Sequence, residues 1–185
     1  MDGLIAMFII KRSWQTFIER LDLVMIPTVQ EFCANAKADH EDYKVFVRIK
    51  TVSFSAKAIS DYNGLPDFEE DEYTQYLAEE LDYDSIVTQM CIPGIRAWFS
   101  FICANLMPTS YQTMVTKERA VLLDTIVTER SIDVRKVIKD LILHTIQAST
   151  IGGLTHPSLI TALCVKVGSQ TQAKISWGFH CFPEA

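Results

Sequence analysis

Proline and glycine are scarce in this chain of 185 residues, at 6 and 7. That scarcity excludes collagen-like and low-complexity architectures. No stretch reaches the ~18 uninterrupted apolar residues that a membrane-spanning helix needs. The nearest approach, residues 91–107, is interrupted by Pro93, Gly94, Arg96 and Asn105. Positive charge is short as well. Lys and Arg total 17 against 23 Asp and Glu, a net charge of −6, whereas a nucleic-acid module normally carries a basic excess to meet phosphate. The five cysteines, Cys33, Cys91, Cys103, Cys164 and Cys181, are odd in number and widely spaced. With no Cys-x-x-Cys pair, neither a zinc ribbon nor a thioredoxin motif is available. Buried free thiols in a reducing compartment are expected, Cys33, Cys103 and Cys164 first among them. The N-terminus has an apolar run of only about seven residues and an acid before it, so it does not read as a signal peptide. The expectation is an intracellular protein, with nucleus and cytoplasm not distinguished and no membrane partner.

Apolar residues make up 49% and charged residues 22%, which places the chain among ordinary globular domains and excludes disorder over most of its length. A single domain can form its own core at this size without disulfides or metals. Charge is uneven: residues 1–84 carry 8 basic and 17 acidic side chains, residues 85–185 carry 9 and 6.

Helical periodicity dominates. Trp14, Phe17, Ile18 and Leu21 share one helical face, and Pro27 restarts a second helix with Val29, Phe32, Cys33 and Ala36 inward. The period then changes to two. Tyr43, Val45, Val47 and Ile49, followed by Val52 and Phe54, predict a β-hairpin with strands at 43–49 and 52–54. Ser55 caps a helix over 56–62 that ends at Asn63-Gly64. Residues 67–84 hold nine acids, with a weak stripe of Tyr73, Tyr76 and Leu77. A short helix from Asp84-Ser85 and an apolar one over 95–106 follow, the latter carrying Trp98 to the centre of the core. Helices are predicted over 117–129 with Thr116 as N-cap, over 132–147 with Ser131 as cap, and over 157–167 with Pro157 in the first turn. The fold class is therefore mainly α, a single domain of about eight helices with one small β-hairpin near residues 43–54.

The chemistry-bearing residues converge on no catalytic set. Four histidines are scattered, and the one hydroxyl close to an imidazole, in His156-Pro157-Ser158, lacks a Gly-x-Ser-x-Gly elbow, while Gly152-Gly153 lacks the Lys-Ser/Thr of a phosphate loop. His144 reads as a partly buried core histidine. The acidic stretch lacks the ordered pattern of a calcium loop. No catalytic, metal or cofactor-binding residue is assigned, and no cofactor is expected. Lys117, Arg119, Arg135, Lys136 and Lys139 form a basic face over 117–139 that could touch phosphate. Aromatic residues do not interleave with them as on a single-strand platform.

Several segments carry a resemblance. They include Phe46-Val47-Arg48-Ile49-Lys50-Thr51-Val52-Ser53-Phe54-Ser55, Gly64-Leu65-Pro66-Asp67 with Asp71-Glu72-Tyr73, and Cys91-Ile92-Pro93-Gly94. Further on come Thr116-Lys117-Glu118-Arg119-Ala120, Ser131-Ile132-Asp133-Val134 and Pro157-Ser158-Leu159-Ile160. In this order the chain resembles the plant transposon protein domain family, found in retrotransposon-associated reading frames. The resemblance divides the chain into an N-terminal extension over 1–13, the domain over 14–168 and a divergent tail over 169–185. It implies a mobile-element origin and brings no catalytic residues. The expected function is a non-catalytic accessory or interaction module of a plant retrotransposon-derived protein, its partner left open between a protein and a nucleic acid. The alternative is a nucleic-acid-binding module using the basic face, and a more remote one is a metal-dependent nuclease or transposase. Two departures from the family pattern matter: Ile49 stands where a turn glycine is usual, and only a short connection joins Gly94 to Trp98. The first puts the tight turn at risk; the second predicts an exposed apolar patch near 86–95.

Overall fold

A computed structural model describes residues 3–17, 24–38, 41–66, 70–79, 83–109, 114–147 and 155–169. Nine α-helices and one hairpin are present among them. Helix α1 (Gly3–Lys11) precedes a single 3-10 turn at Gln15–Phe17. Helix α2 is Ile26–Ala38, with Pro27 in its first turn, where a missing amide costs nothing. Strands β1 (Lys44–Val47) and β2 (Lys50–Ser53) pair antiparallel, Val45 opposite Val52 and Val47 opposite Lys50. Helices α3 (Ala56–Asn63), α4 (Glu72–Ala78), α5 (Tyr83–Gln89) and α6 (Pro93–Phe101) follow. Helix α6 widens into a π-helical turn over Ile102–Leu106. Helices α7 (Lys117–Val127), α8 (Val134–Gln147) and α9 (Pro157–Lys166) complete the domain. The mainly α fold with one hairpin is as the periodicities predict.

The core is continuous from α1 to α9. Ile9, Phe17, Phe32, Val47, Phe54, Ile102, Leu122, Ile138 and Ile160 all belong to it. Helix α2 lies across the hairpin, α8 and α9, while α7 is packed by α4, α5 and α6. Phe32 meets Phe54 edge to face at 5.5 Å, joining α2 to the residue after β2.

Three of the expected cap residues, Ser55, Gly64 and Thr116, cap their helices. The Ser55 hydroxyl accepts from Ala58 N, Gly64 closes α3 at φ 66, and the Thr116 hydroxyl accepts from Arg119 N. Other readings need correction. The helical stripe from Trp14 is a 3-10 turn as far as Phe17, and residues 18–23 lie outside the described residues, as do His40, Gly152-Gly153, His180 and Cys181. Ile49 is not a strand residue. It sits with Arg48 in a two-residue turn at φ 63 and φ 44, and its side chain is 83% exposed. Helix α8 is capped by Asp133, whose Oδ1 accepts from Arg135 N and Lys136 N, and not by Ser131, which a distant acid has recruited.

Trp98 is also misplaced by the sequence. It is only partly buried and lies against α1, 4.8 Å from the Phe8 ring and 5.7 Å from Phe101. Phe99, Phe101, Ile102, Cys103 and Leu106 take the buried positions instead. The short connection to this helix is accommodated. Residues 90–92 suffice, Ile86 is buried, and Met90 and Ile95 pack against the core, leaving Ile92 and Cys91 exposed in the 86–95 segment.

Among the described cysteines, Cys103 and Cys164 are buried, Cys33 is half-buried and Cys91 is exposed, so the expectation of a buried Cys33 is only partly met. Burial raises the Cys103 pKa, opposed by the Arg119 charge, and pushes that of Cys164 up to about 11. Because the thiolate is the reactive form, a maleimide added to the native protein modifies Cys91 rapidly and leaves Cys103 and Cys164 intact. Peptide mapping by mass spectrometry checks this, and early labelling of Cys103 or Cys164 would contradict the packing described.

Candidate functional site

The five basic residues end in very different surroundings. Arg135 lies against Asp133, with Nε 2.8 Å from Oδ1 and Nη2 3.1 Å from Oδ2, and both side chains are largely buried. Lys136 Nζ is 3.6 Å from Asp71 Oδ2 and donates to the Thr74 hydroxyl at 3.1 Å. Lys139 Nζ is 2.9 Å from Asp140 and 4.4 Å from the centre of the Tyr43 ring. Burial works to lower the Lys139 pKa, but the hydrogen bonds and charges of Asp140 and Tyr43 together outweigh it and raise the value. Lys117 is exposed and reaches the Glu79 carbonyl at 3.4 Å. Arg119 is half-buried, with Nη1 3.5 Å from the Met114 carbonyl.

Arg119 and Lys136 meet at a cavity of about 520 Å³ bounded by α4, α7 and α8. Tyr73, Leu77, Met107, Val137 and Leu141 give it an apolar lining, and Glu118, Asp140 and His144 add polar groups. Lys117, Arg135 and Lys139 do not line it. The Tyr73 hydroxyl donates to the Glu118 carbonyl at 3.4 Å. Burial first, then the charges of Glu118, Asp71 and Asp140, raises its pKa, so it stays protonated. His144 is exposed, not the partly buried core histidine expected. Among the described residues the buried histidine is His156, which precedes α9 at φ 53 with its Nε2 3.1 Å from the Leu106 carbonyl.

The sequence gives two hints of the cavity, the Tyr73–Leu77 stripe and the apolar face of 132–147. It hides the convergence, because α4 and α8 are about 60 residues apart. Their meeting is fixed by a clasp of backbone and side-chain hydrogen bonds. Glu72 Oε2 accepts from Ser131 N at 2.6 Å and from its hydroxyl at 2.9 Å. Tyr73 N donates to the Ser131 carbonyl at 3.2 Å, and Asp71 Oδ1 accepts from Asp133 N at 3.3 Å. Asp71 also takes both the amide and hydroxyl of Thr74. The hydrogen bonds from the Ser131 amide and hydroxyl hold the Glu72 carboxyl below its ordinary pKa. Two segments distant in sequence, 71–73 and 131–133, are thus one structural unit, and part of the acidic stretch is committed to building it. Among the described residues no group of three or more His, Cys, Asp or Glu side chains is arranged to hold a metal ion. None of their helices is long and apolar enough to cross a membrane.

These features define a helical domain whose shared polar segments serve its own architecture. A family model described as "Putative plant retrotransposon-related domain" matches residues 10–170, and the chain belongs to that family. No curated protein and no solved structure matches the chain.

Proposed function

We propose that this chain is a non-catalytic interaction module of a plant retrotransposon-derived protein, acting through a protein partner. The clasp carries this reading. The acids that stand out in the sequence at 71–72 and 133 bind amides, hydroxyls and cations of the same chain. Side chains committed in this way support architecture rather than the holding of metal ions for hydrolysis.

The nucleic-acid alternative would use Lys117, Arg119, Arg135, Lys136 and Lys139. The last three each lie beside a carboxylate, so phosphate would have to displace an internal partner. The expected result is no measurable binding of duplex DNA or single-stranded RNA at ~50 mM salt. Binding that weakens linearly in log–log terms as salt rises, and weakens again in Lys117→Ala, would replace the interaction reading with the nucleic-acid one. Magnesium-dependent cleavage abolished by one acid-to-Ala change would instead favour a nuclease.

A further inference from the structure

Among the described residues, Arg119 differs from the other cations around its cavity. Lys136 is engaged by Asp71 and Thr74, and Asp140 by Lys139. Arg119 has no carboxylate within ion-pair distance among the described residues. Its Nη1 makes one long bond to a carbonyl, and its Nε is buried without an acceptor. A buried guanidinium N–H without an acceptor carries a desolvation cost that a bound oxygen would remove. A guanidinium also presents Nε–H and Nη–H in the planar fork that matches a carboxylate, and Arg119 is part of the cavity lining.

The lining narrows the ligand further. Leu77, Met107, Val137 and Leu141 are suited to an apolar or aromatic body, and about 520 Å³ lies within the ~300–1,000 Å³ typical of small-ligand sites. Glu118 and Asp140 also line the cavity and repel a multiply charged phosphate more strongly than a single negative charge, which Arg119 can offset. We propose that the cavity between α4, α7 and α8 binds a monocarboxylate carried on an apolar or aromatic body, with Arg119 holding the carboxylate. The site goes beyond the interaction reading and does not depend on it, since it stands on Arg119 and the lining rather than on the clasp.

The test uses the full chain with labelled methyl groups, titrated with 4-phenylbutyrate and, separately, with 4-phenylbutyramide. The acid should shift the methyl signals of Leu77, Val137 and Leu141 and bind at least about tenfold tighter than the neutral amide. Arg119→Gln should remove that preference and Arg119→Lys restore part of it. A short peptide ending in leucine, as free acid and as amide, forms the second arm. Shifts with the peptide acid extend the site to a polypeptide carboxyl terminus, and their absence restricts it to free organic acids. No methyl shifts with 4-phenylbutyrate up to ~10 mM, or equal affinity for acid and amide, would overturn the proposal. Either result leaves the interaction reading standing, because that reading fails only on nucleic-acid binding or cleavage.

Discussion

Phe32→Ala should destabilise the domain by about 3–5 kcal/mol, while Trp98→Ala should cost about 1–2 kcal/mol. The order reverses what residue size alone suggests. Phe32 is fully buried between α2 and the hairpin, with its ring against Phe54. Removing it leaves a cavity whose walls belong to several elements and cannot collapse together. Trp98 keeps part of its surface in water and contributes chiefly edge contacts to Phe8 and Phe101. Urea denaturation of the two variants checks the ranking, as a shift in midpoint at constant slope. A Trp98→Ala cost equal to that of Phe32→Ala would mean that α1 and α6 together form a second centre of the core.

Ile49→Gly should stabilise the protein by about 1 kcal/mol, against the usual direction for a large-to-small change. A left-handed backbone costs an L-residue about 1–2 kcal/mol, and a β-branched side chain is among the worst placed there. Ile49 recovers little by packing, because its side chain projects into water. Glycine removes the steric cost but loses more freedom on folding, which leaves a net gain near the lower end of that range. Glu31 supports the existing turn: its Oε1 accepts from Arg48 N at 2.8 Å and its Oε2 lies 3.4 Å from Arg48 Nε. Glu31→Ala should therefore cost about 1 kcal/mol in the native background and less once Ile49 is glycine. A double-mutant cycle on thermal midpoints measures the coupling. Destabilisation by Ile49→Gly would show that the turn gains from the isoleucine in a way its exposure does not suggest.

The helices that the sequence announces are those with chemistry at their ends. Ser55 and Gly64 bracket α3 and Thr116 starts α7, each through a hydrogen bond within a few residues, and Pro157 starts α9 through its fixed φ in the first turn. What stays hidden depends on partners far away in the chain. Helix α1 has apolar residues around much of its surface and no polar face to declare it, yet it buries Ile5 and Ile9 and receives Trp98 through Phe8. Ser131 has the residue type of an N-cap but bonds to Glu72, which passes the cap of α8 to Asp133. The hairpin turn falls at Arg48-Ile49 although neither is a turn former, because Val45, Val47 and Val52 must all face inward and Glu31 holds the Arg48 amide. The same distance effect blurs the candidate site. Arg119 and Lys136 look like two members of one basic stripe, and only the folded chain separates the lysine already engaged by Asp71 from the arginine facing the cavity.

The clasp between Glu72 and Ser131 also bears on how the chain length can change over time. Its bonds join residues 59 apart in sequence, so everything between them is a closed loop in the topological sense. The entropy of closing such a loop grows only with the logarithm of its length. Adding about 20 residues within it would cost roughly 0.3 kcal/mol, and removing a similar number would return as little. Length changes at the α5–α6 junction are therefore nearly neutral for the clasp, provided that the ends of the two helices can still meet. Length at that junction is tolerated where loss of the anchoring groups at 71–73 and 131–133 is not, because the latter removes the bonds themselves.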